Sequence, residues 1–242
     1  MRAWRGGLGM TAAAAAVVLA LAACQGGTRA NPVLADGTPT VTVMSFDQAL
    51  RLDALPEGWW HRTFFRTPPM QARFGPKEGR QAIRLATEGG GSMLFRRTDL
   101  PVDDYPFLRW GWLVERAVAS DVDETTRAGD DHPARLYLKF RSASGEEHAM
   151  EIIWGNRRLG AGDWKYLDSP FSRSPFPHYV ARGGDANVGR WFDESVDLRA
   201  LYRKSWGDPA GARLVDVALF CDTDATGASS VAYFSRISLA RK

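Results

Sequence analysis

From Val41 onward, apolar and polar positions alternate in short runs, interrupted again and again by Gly, Pro, Asn and Asp. The clearest run leads from Gly129-Asp130-Asp131-His132-Pro133 into Ala134-Arg135-Leu136-Tyr137-Leu138-Lys139-Phe140. Ala134, Leu136, Leu138 and Phe140 fall on one face, and Arg135, Tyr137, Lys139 and Arg141 on the other. A period of two predicts a strand with one face on a core and one toward solvent or a ligand. Similar runs predict strands at Val41–Ser45, Gln81–Thr87, Ser92–Arg97, Leu108–Val114, Glu147–Trp154, Val215–Asp222 and Val231–Leu239. Weaker ones stand at Trp164–Leu167 and His178–Arg182. Glu88-Gly89-Gly90-Gly91 can take positive φ and reads as a tight hairpin between its flanking strands. Leu55-Pro56-Glu57-Gly58-Trp59-Trp60 reads as a turn bearing aromatic cover, and Ala143-Ser144-Gly145-Glu146 as a hairpin loop.

One stretch has helical spacing instead. Over residues 197–206, Leu198, Leu201 and Tyr202 share a face and Gly207 supplies the stop. The pattern therefore predicts an all-β fold: a two-sheet antiparallel β-sandwich, jelly-roll-like, with one short helix, formed by residues 41–242 as one domain.

The N-terminus follows other rules. Arg2 and Arg5 precede an apolar run from Met10 to Leu21, and Leu21-Ala22-Ala23-Cys24 follows. A basic head, a short apolar segment and small residues before a cut predict a signal peptide over residues 1–23. The run is shorter than the roughly 20 apolar residues that span a bilayer. Leu-Ala-Ala-Cys resembles the lipobox of bacterial lipoproteins, which implies an acylated Cys24. More than one acyl chain there would anchor the protein stably to a membrane. Gln25 in place of Asp implies, by resemblance to the enteric sorting rule, an outer-membrane lipoprotein facing the periplasm. Residues 24–40, small, polar and punctuated by Pro and Gly, read as a tether.

Removing residues 1–23 takes two of the 31 basic residues and none of the 28 acids, leaving a net charge of +1. No basic cluster remains to address nucleic acid. Cys221 alternates with Leu219 and Val217 and reads as a buried, inert thiol. His61, His132, His148 and His178 show no paired spacing of the zinc kind. No phosphate loop, nucleophile elbow or metalloprotease motif occurs.

Two features carry candidate chemistry. Asp130 and Asp131 open one predicted strand, and Asp222 and Asp224 close another. If the two strands are antiparallel neighbours, both acid pairs reach one rim. Such a cluster can hold Ca²⁺ or accept sugar hydroxyls, or its members can simply cap turns. Glu151, beside Trp154, is a further possible acid. Trp154, Trp164 and Trp191, in or beside the irregular stretch 155–189, are candidate groove aromatics offering flat faces to a sugar.

Several motifs occur in an order that resembles the bacterial domain-of-unknown-function family numbered 3047: Leu55-Pro56-Glu57-Gly58-Trp59, Leu108-Arg109-Trp110-Gly111-Trp112, Gly129-Asp130-Asp131, Trp154-Gly155, Tyr202-Arg203-Lys204-Ser205-Trp206-Gly207 and Asp222-Thr223-Asp224-Ala225-Thr226. His132, Leu201 and Ala225 depart from its pattern. The resemblance implies a β-sandwich envelope protein and no particular activity. The functional expectation is a lipid-anchored binding module of the bacterial cell envelope, taking a glycan or another envelope component. The alternatives are a hydrolase of envelope polysaccharide using the Asp130/Asp131 and Asp222/Asp224 cluster, and a structural partner of an envelope protein complex.

Overall fold

The computed structural model describes residues 24–25, 30–168 and 175–242. The expected signal peptide, residues 1–23, lies outside the described residues. Among the described residues fifteen strands build two packed sheets, joined by one α-helix. One sheet holds β1 (Cys24–Gln25), β4 (Trp59–Thr63), β7 (Ser92–Pro101), β14 (Arg213–Phe220), β9 (Arg135–Arg141), β10 (Glu147–Gly155), β12 (Phe176–Gly183) and β11 (Trp164–Leu167) in that order, with β2 (Val33–Leu34) also on β7. The other runs β13 (Phe192–Asp197), β8 (Phe107–Arg116), β15 (Ser229–Ala240), β6 (Arg80–Glu88) and β5 (Gln71–Lys77), with β3 (Thr40–Met44) also on β15. This is the predicted sandwich. Its layers arise because Leu136, Leu138, Phe140, Leu94 and Leu219 of the first sheet meet Ile83, Leu85, Trp110, Trp112 and Phe234 of the second, all buried in one core.

Three expectations change in detail. Glycines 89–91 do not close a hairpin: β6 pairs with β5 and β15, whereas β7 pairs with β4 and β14, so the run carries the chain from one sheet to the other. The glycines serve close approach, because a Cβ at Gly90 would fall 2.2 Å from the Pro68 carbonyl oxygen. Pairing is also not wholly antiparallel, since β10 lies parallel to β12 and β2 to β7. Finally, within the expected tether, Val33 and Leu34 pair with Thr98 and Asp99, so this part lies along the sheet.

The helix α1 (Leu198–Trp206) buries Leu198, Leu201 and Tyr202. It is capped by Asp197, whose side chain accepts from the Arg199 and Ala200 N–H groups, and ends at Gly207 with φ +100°. Satisfying otherwise unpaired N–H groups fixes where a helix begins. Among the described residues no helix is long and apolar enough to cross a membrane.

Candidate functional site

β9 and β14 are antiparallel neighbours, with Phe220 opposite Arg135 and Leu219 opposite Leu136. That register places the segment before β9 beside the segment after β14, so Asp130, Asp131, Asp222 and Asp224 gather at one rim. Three short contacts tie the segments together: the His132 N–H donates to Asp222 Oδ1 at 3.2 Å, and the Ala225 and Thr226 N–H groups donate to the two Asp131 oxygens at 3.1 and 2.7 Å. The glycine crossover closes the third side, where Gly91 bridges Asp222 and the Thr223 N–H donates to the Gly90 carbonyl.

The four acids then diverge in role. Asp131 is fully buried, and its oxygens also accept from the Thr226 hydroxyl, so it fastens the 223–227 turn. Oxygens of Asp131, Asp222 and Asp224 come within 4.8 Å of one another. Asp130 stands apart from that trio, against Arg135 and Lys165. Ca²⁺ takes six to eight oxygens. Here both Asp131 oxygens serve backbone donors, and both Asp222 oxygens serve Arg135 and His132. The expected four-acid Ca²⁺ cluster is thus reduced to three acids whose oxygens are largely engaged.

The outward face of the nine-stranded sheet holds the larger surprise. Parity put Arg135 opposite the core, yet it is 2% exposed. Its guanidinium donates to Glu151 Oε2 at 2.6 Å, to Asp222 Oδ2 at 2.7 Å and to the Asp130 carbonyl at 2.8 Å. It also stacks over Phe220, 4.9 Å from the ring centroid. Lys165 of β11, equally hidden, donates to Asp130 Oδ1 at 2.5 Å and to the Glu124 carbonyl at 2.8 Å. Strand register explains the convergence: Glu151 lies opposite His178, and His178 opposite Lys165, so all three point to the same side as Arg135.

His132 and His178 show no paired zinc-type spacing in the sequence, but β-pairing brings both to Asp130, each 3.7 Å from Oδ1. Their tautomers follow from their partners. Nδ1 of His132 faces the Trp154 carbonyl and Nδ1 of His178 the Phe176 carbonyl, so each Nδ1 carries the proton. Each Nε2 then accepts, from Lys165 and from Arg135 respectively. Burial, with Lys165 and then Arg135 nearby, holds His132 well below the usual imidazole range. Burial likewise lowers His178 to about 3, against the opposing pull of Asp130. Both rings are neutral.

The carboxyls respond to the same surroundings in opposite directions. For Asp130, burial works to raise the pKa, but the charges of Arg135 and Lys165 overcome it and hold it below the usual range. Glu151 is pushed up by burial to about 7 and Asp222 to about 8, with Arg135 opposing and Asp130 adding to the rise. Three carboxyl groups crowd two cations, so one carboxyl proton is held near neutrality by the group as a whole.

Above this floor opens a pocket of about 360 Å³, its walls including Phe64, Met93, Arg127, Phe220 and Asp224 and its base Asp130, Arg135, Glu151 and Asp222. Phe64 is exposed at its edge. The expected groove aromatics lie elsewhere. Trp154 is fully buried, its ring against Trp112 and Phe192, because it follows Met150 and Ile152 on the core face of β10. Trp164 is half-buried, between Tyr179 and the Lys204 ammonium of α1. Trp191 packs under Arg80 beside the other sheet. Cys221 is buried as expected.

Several solved structures are similar to this chain in part. The family 30 carbohydrate-binding module of a Clostridium thermocellum cellulosomal cellulase aligns over 84% of this chain and 98% of its own, at 10% identity and a TM-score of 0.45. Endoglucanase Cel12A of Rhodothermus marinus aligns over 75% and 92%, at 10% identity and a TM-score of 0.43. The glycoside hydrolase domain of Endo-D from Streptococcus pneumoniae R6 aligns over 76% of this chain at 11% identity and a TM-score of 0.36, and this chain spans only 22% of it. At such identities and TM-scores the likeness is distant. No curated protein matches by sequence. A family model does match, over residues 57–238, and the chain belongs to that family, described as protein of unknown function (DUF3047).

Proposed function

We propose that this protein is a binding module for a glycan or a related polyhydroxylated envelope component, held at the pocket above Arg135. The observation that carries the reading is the pocket's make-up: the exposed Phe64 ring and the exposed Asp224 carboxylate stand at its edge, over a fixed charged floor that Phe220 supports. Sugars are recognised by such pairings of ring faces with polar groups that fix orientation. The floor is pre-organised, since each charged group already has a partner and both histidines have one tautomer. The test is a glycan-array screen followed by titration of the best glycan. Phe64→Ala and Asp224→Ala, both at the accessible edge, should weaken binding roughly tenfold, about 1.4 kcal/mol. Unchanged affinity in both variants would remove the pocket from the reading.

A second reading, a hydrolase of envelope polysaccharide, has one observation in its favour: Glu151 and Asp222 titrate near neutrality at the pocket floor. Both bond one guanidinium, so they lie closer than about 9.5 Å, the upper end of the spacing that glycoside cleavage uses. In that case the pair is Glu151/Asp222, because Asp130 is ionised and Asp131 is spent on its turn. Release of reducing ends from the bound glycan, lost in Glu151→Gln while binding persists, would select this reading.

The address belongs to the proposal too. Leu21-Ala22-Ala23-Cys24 supports acylation of Cys24 and attachment to the periplasmic side of the outer membrane, where such a glycan would be met. Cys24→Ala is expected to shift the protein from the membrane fraction into the soluble periplasm. Retention of this variant on membranes after a high-salt wash would rule the lipid anchor out.

A further inference from the structure

The outer face of the six-stranded sheet carries a separate feature. Arg73 of β5 and Arg84 of β6 stand directly opposite each other in register. Arg116 of β8 approaches from across β15, where its partner Val231 is in turn opposite Ala86 of β6. Ala86 and Val231 form a small apolar floor, and the three arginines, Gln71 and Ser229 wall a pocket of about 210 Å³. Glu88 is the one acid in that lining.

The neighbouring cations of this face are neutralised. Lys77 pairs with Glu115 at 2.9 Å and Arg80 with Asp193 at 2.5 Å. Glu115, which feels Arg84, is already held by Lys77 and the Tyr233 hydroxyl. Among the described residues Arg73 and Arg84 have no hydrogen bond or ion pair of their own, and Arg116 has a single long contact of 3.4 Å to Ser229 Oγ. Like charges directly opposite on an antiparallel pair repel and destabilise it. The sheet therefore tolerates a repulsion that one acidic neighbour would relieve, as it does at Lys77 and Arg80.

We infer that Arg73, Arg84 and Arg116 form a binding site for a tetrahedral oxyanion, a phosphate or sulfate group, separate from the pocket above Arg135. Planar guanidinium forks match the paired oxygens of such a group, and the Ser229 hydroxyl adds a further donor. The apolar floor excludes water from one side, which strengthens the attraction over that at an open surface. The group can be carried by a soluble molecule, such as a phosphorylated sugar, or by a lipid headgroup; the recognition chemistry is shared.

Thermal unfolding of the mature protein in inorganic phosphate, with chloride at matched ionic strength as reference, tests the site. The melting temperature should rise saturably with phosphate. Arg73→Gln and Arg84→Gln should each weaken the apparent phosphate affinity at least tenfold. Each should also melt at or above the wild-type temperature in chloride, because the repulsion is gone. Lys77→Gln should leave the phosphate response intact. Equal responses to phosphate in wild type and both arginine variants, or none in wild type, would overturn the inference. Competition by glucose 6-phosphate would place the oxyanion on a soluble carrier. Cosedimentation of Cys24→Ala protein with phosphatidylglycerol vesicles, abolished by Arg73→Gln, would place it on a lipid.

Discussion

Replacing Arg135 by Ala should destabilise the protein by on the order of 3–5 kcal/mol, the range found when one member of a buried ion pair is removed. The guanidinium is 2% exposed and serves Glu151, Asp222 and Asp130 at once. Without it, three carboxyl groups face one another with only Lys165 to offset them. Part of the loss should be recovered at mildly acidic pH, where Glu151 and Asp222 can both hold protons. Arg135→Lys keeps the charge but not the fork, so it should fall between the two. Denaturant midpoints at pH 5.5 and 8 would check this. A loss below about 1 kcal/mol, the scale of an exposed ion pair, would mean that the network is solvated and weak.

The second large effect is the pH dependence carried by Glu151. Its pKa in the folded protein is raised to about 7 from an ordinary value of 4.5, chiefly by burial. A raised folded pKa means that the folded state holds the proton more tightly than the unfolded chain. Its contribution is present in full below the unfolded pKa and is lost as pH rises through about 7. Glu151→Gln imitates the protonated carboxyl and cannot ionise. The variant should therefore gain on wild type as pH is raised from 5 to 8, by on the order of 3 kcal/mol at about 1.4 kcal/mol per unit. The histidines cancel in this comparison because both proteins contain them. A gap that stays flat, or moves in favour of wild type, would show that Glu151 is ionised throughout and that Arg135 outweighs burial.

The core was legible residue by residue. The alternation of Leu136, Leu138 and Phe140, the helical face of Leu198, Leu201 and Tyr202, and Gly207 as a stop all name positions that the structure buries or caps. β4 leaves no alternation to see, because Trp59, Trp60 and His61 are all buried, and its first two residues look like the end of the turn from Leu55. β5 was missed because Gly75 and Pro76 interrupt it. The crossover at Gly89–Gly91 was misjudged for a different reason: glycines announce a turn but not which sheet the chain enters next.

The candidate site was half legible. That β9 and β14 would bring their acids to one rim could be argued from strand ends alone. The network beneath could not, because period-two parity says only that Arg135 faces away from the core, not that another layer of side chains covers it. Lys165 and His178 reach Arg135 through the parallel pairing of β12 with β10, a long-range choice with no local mark. One signal was present: Glu151 is an acid inside the otherwise apolar run Ala149-Met150 to Ile152-Ile153.

Cys221 sits at the end of β14, one residue before Asp222, with its thiol pushed up to about 12 by burial. A thiol so placed stays protonated and meets no reagent while the strand is closed. Its modification must wait for a local opening, so the labelling rate in dilute thiol reagent times how often this strand end comes apart. The sequence holds one other cysteine, Cys24, and acylation or its replacement would leave Cys221 as the sole reporter. Slower labelling in the presence of a ligand would then measure occupancy from beneath the pocket, without any probe being introduced.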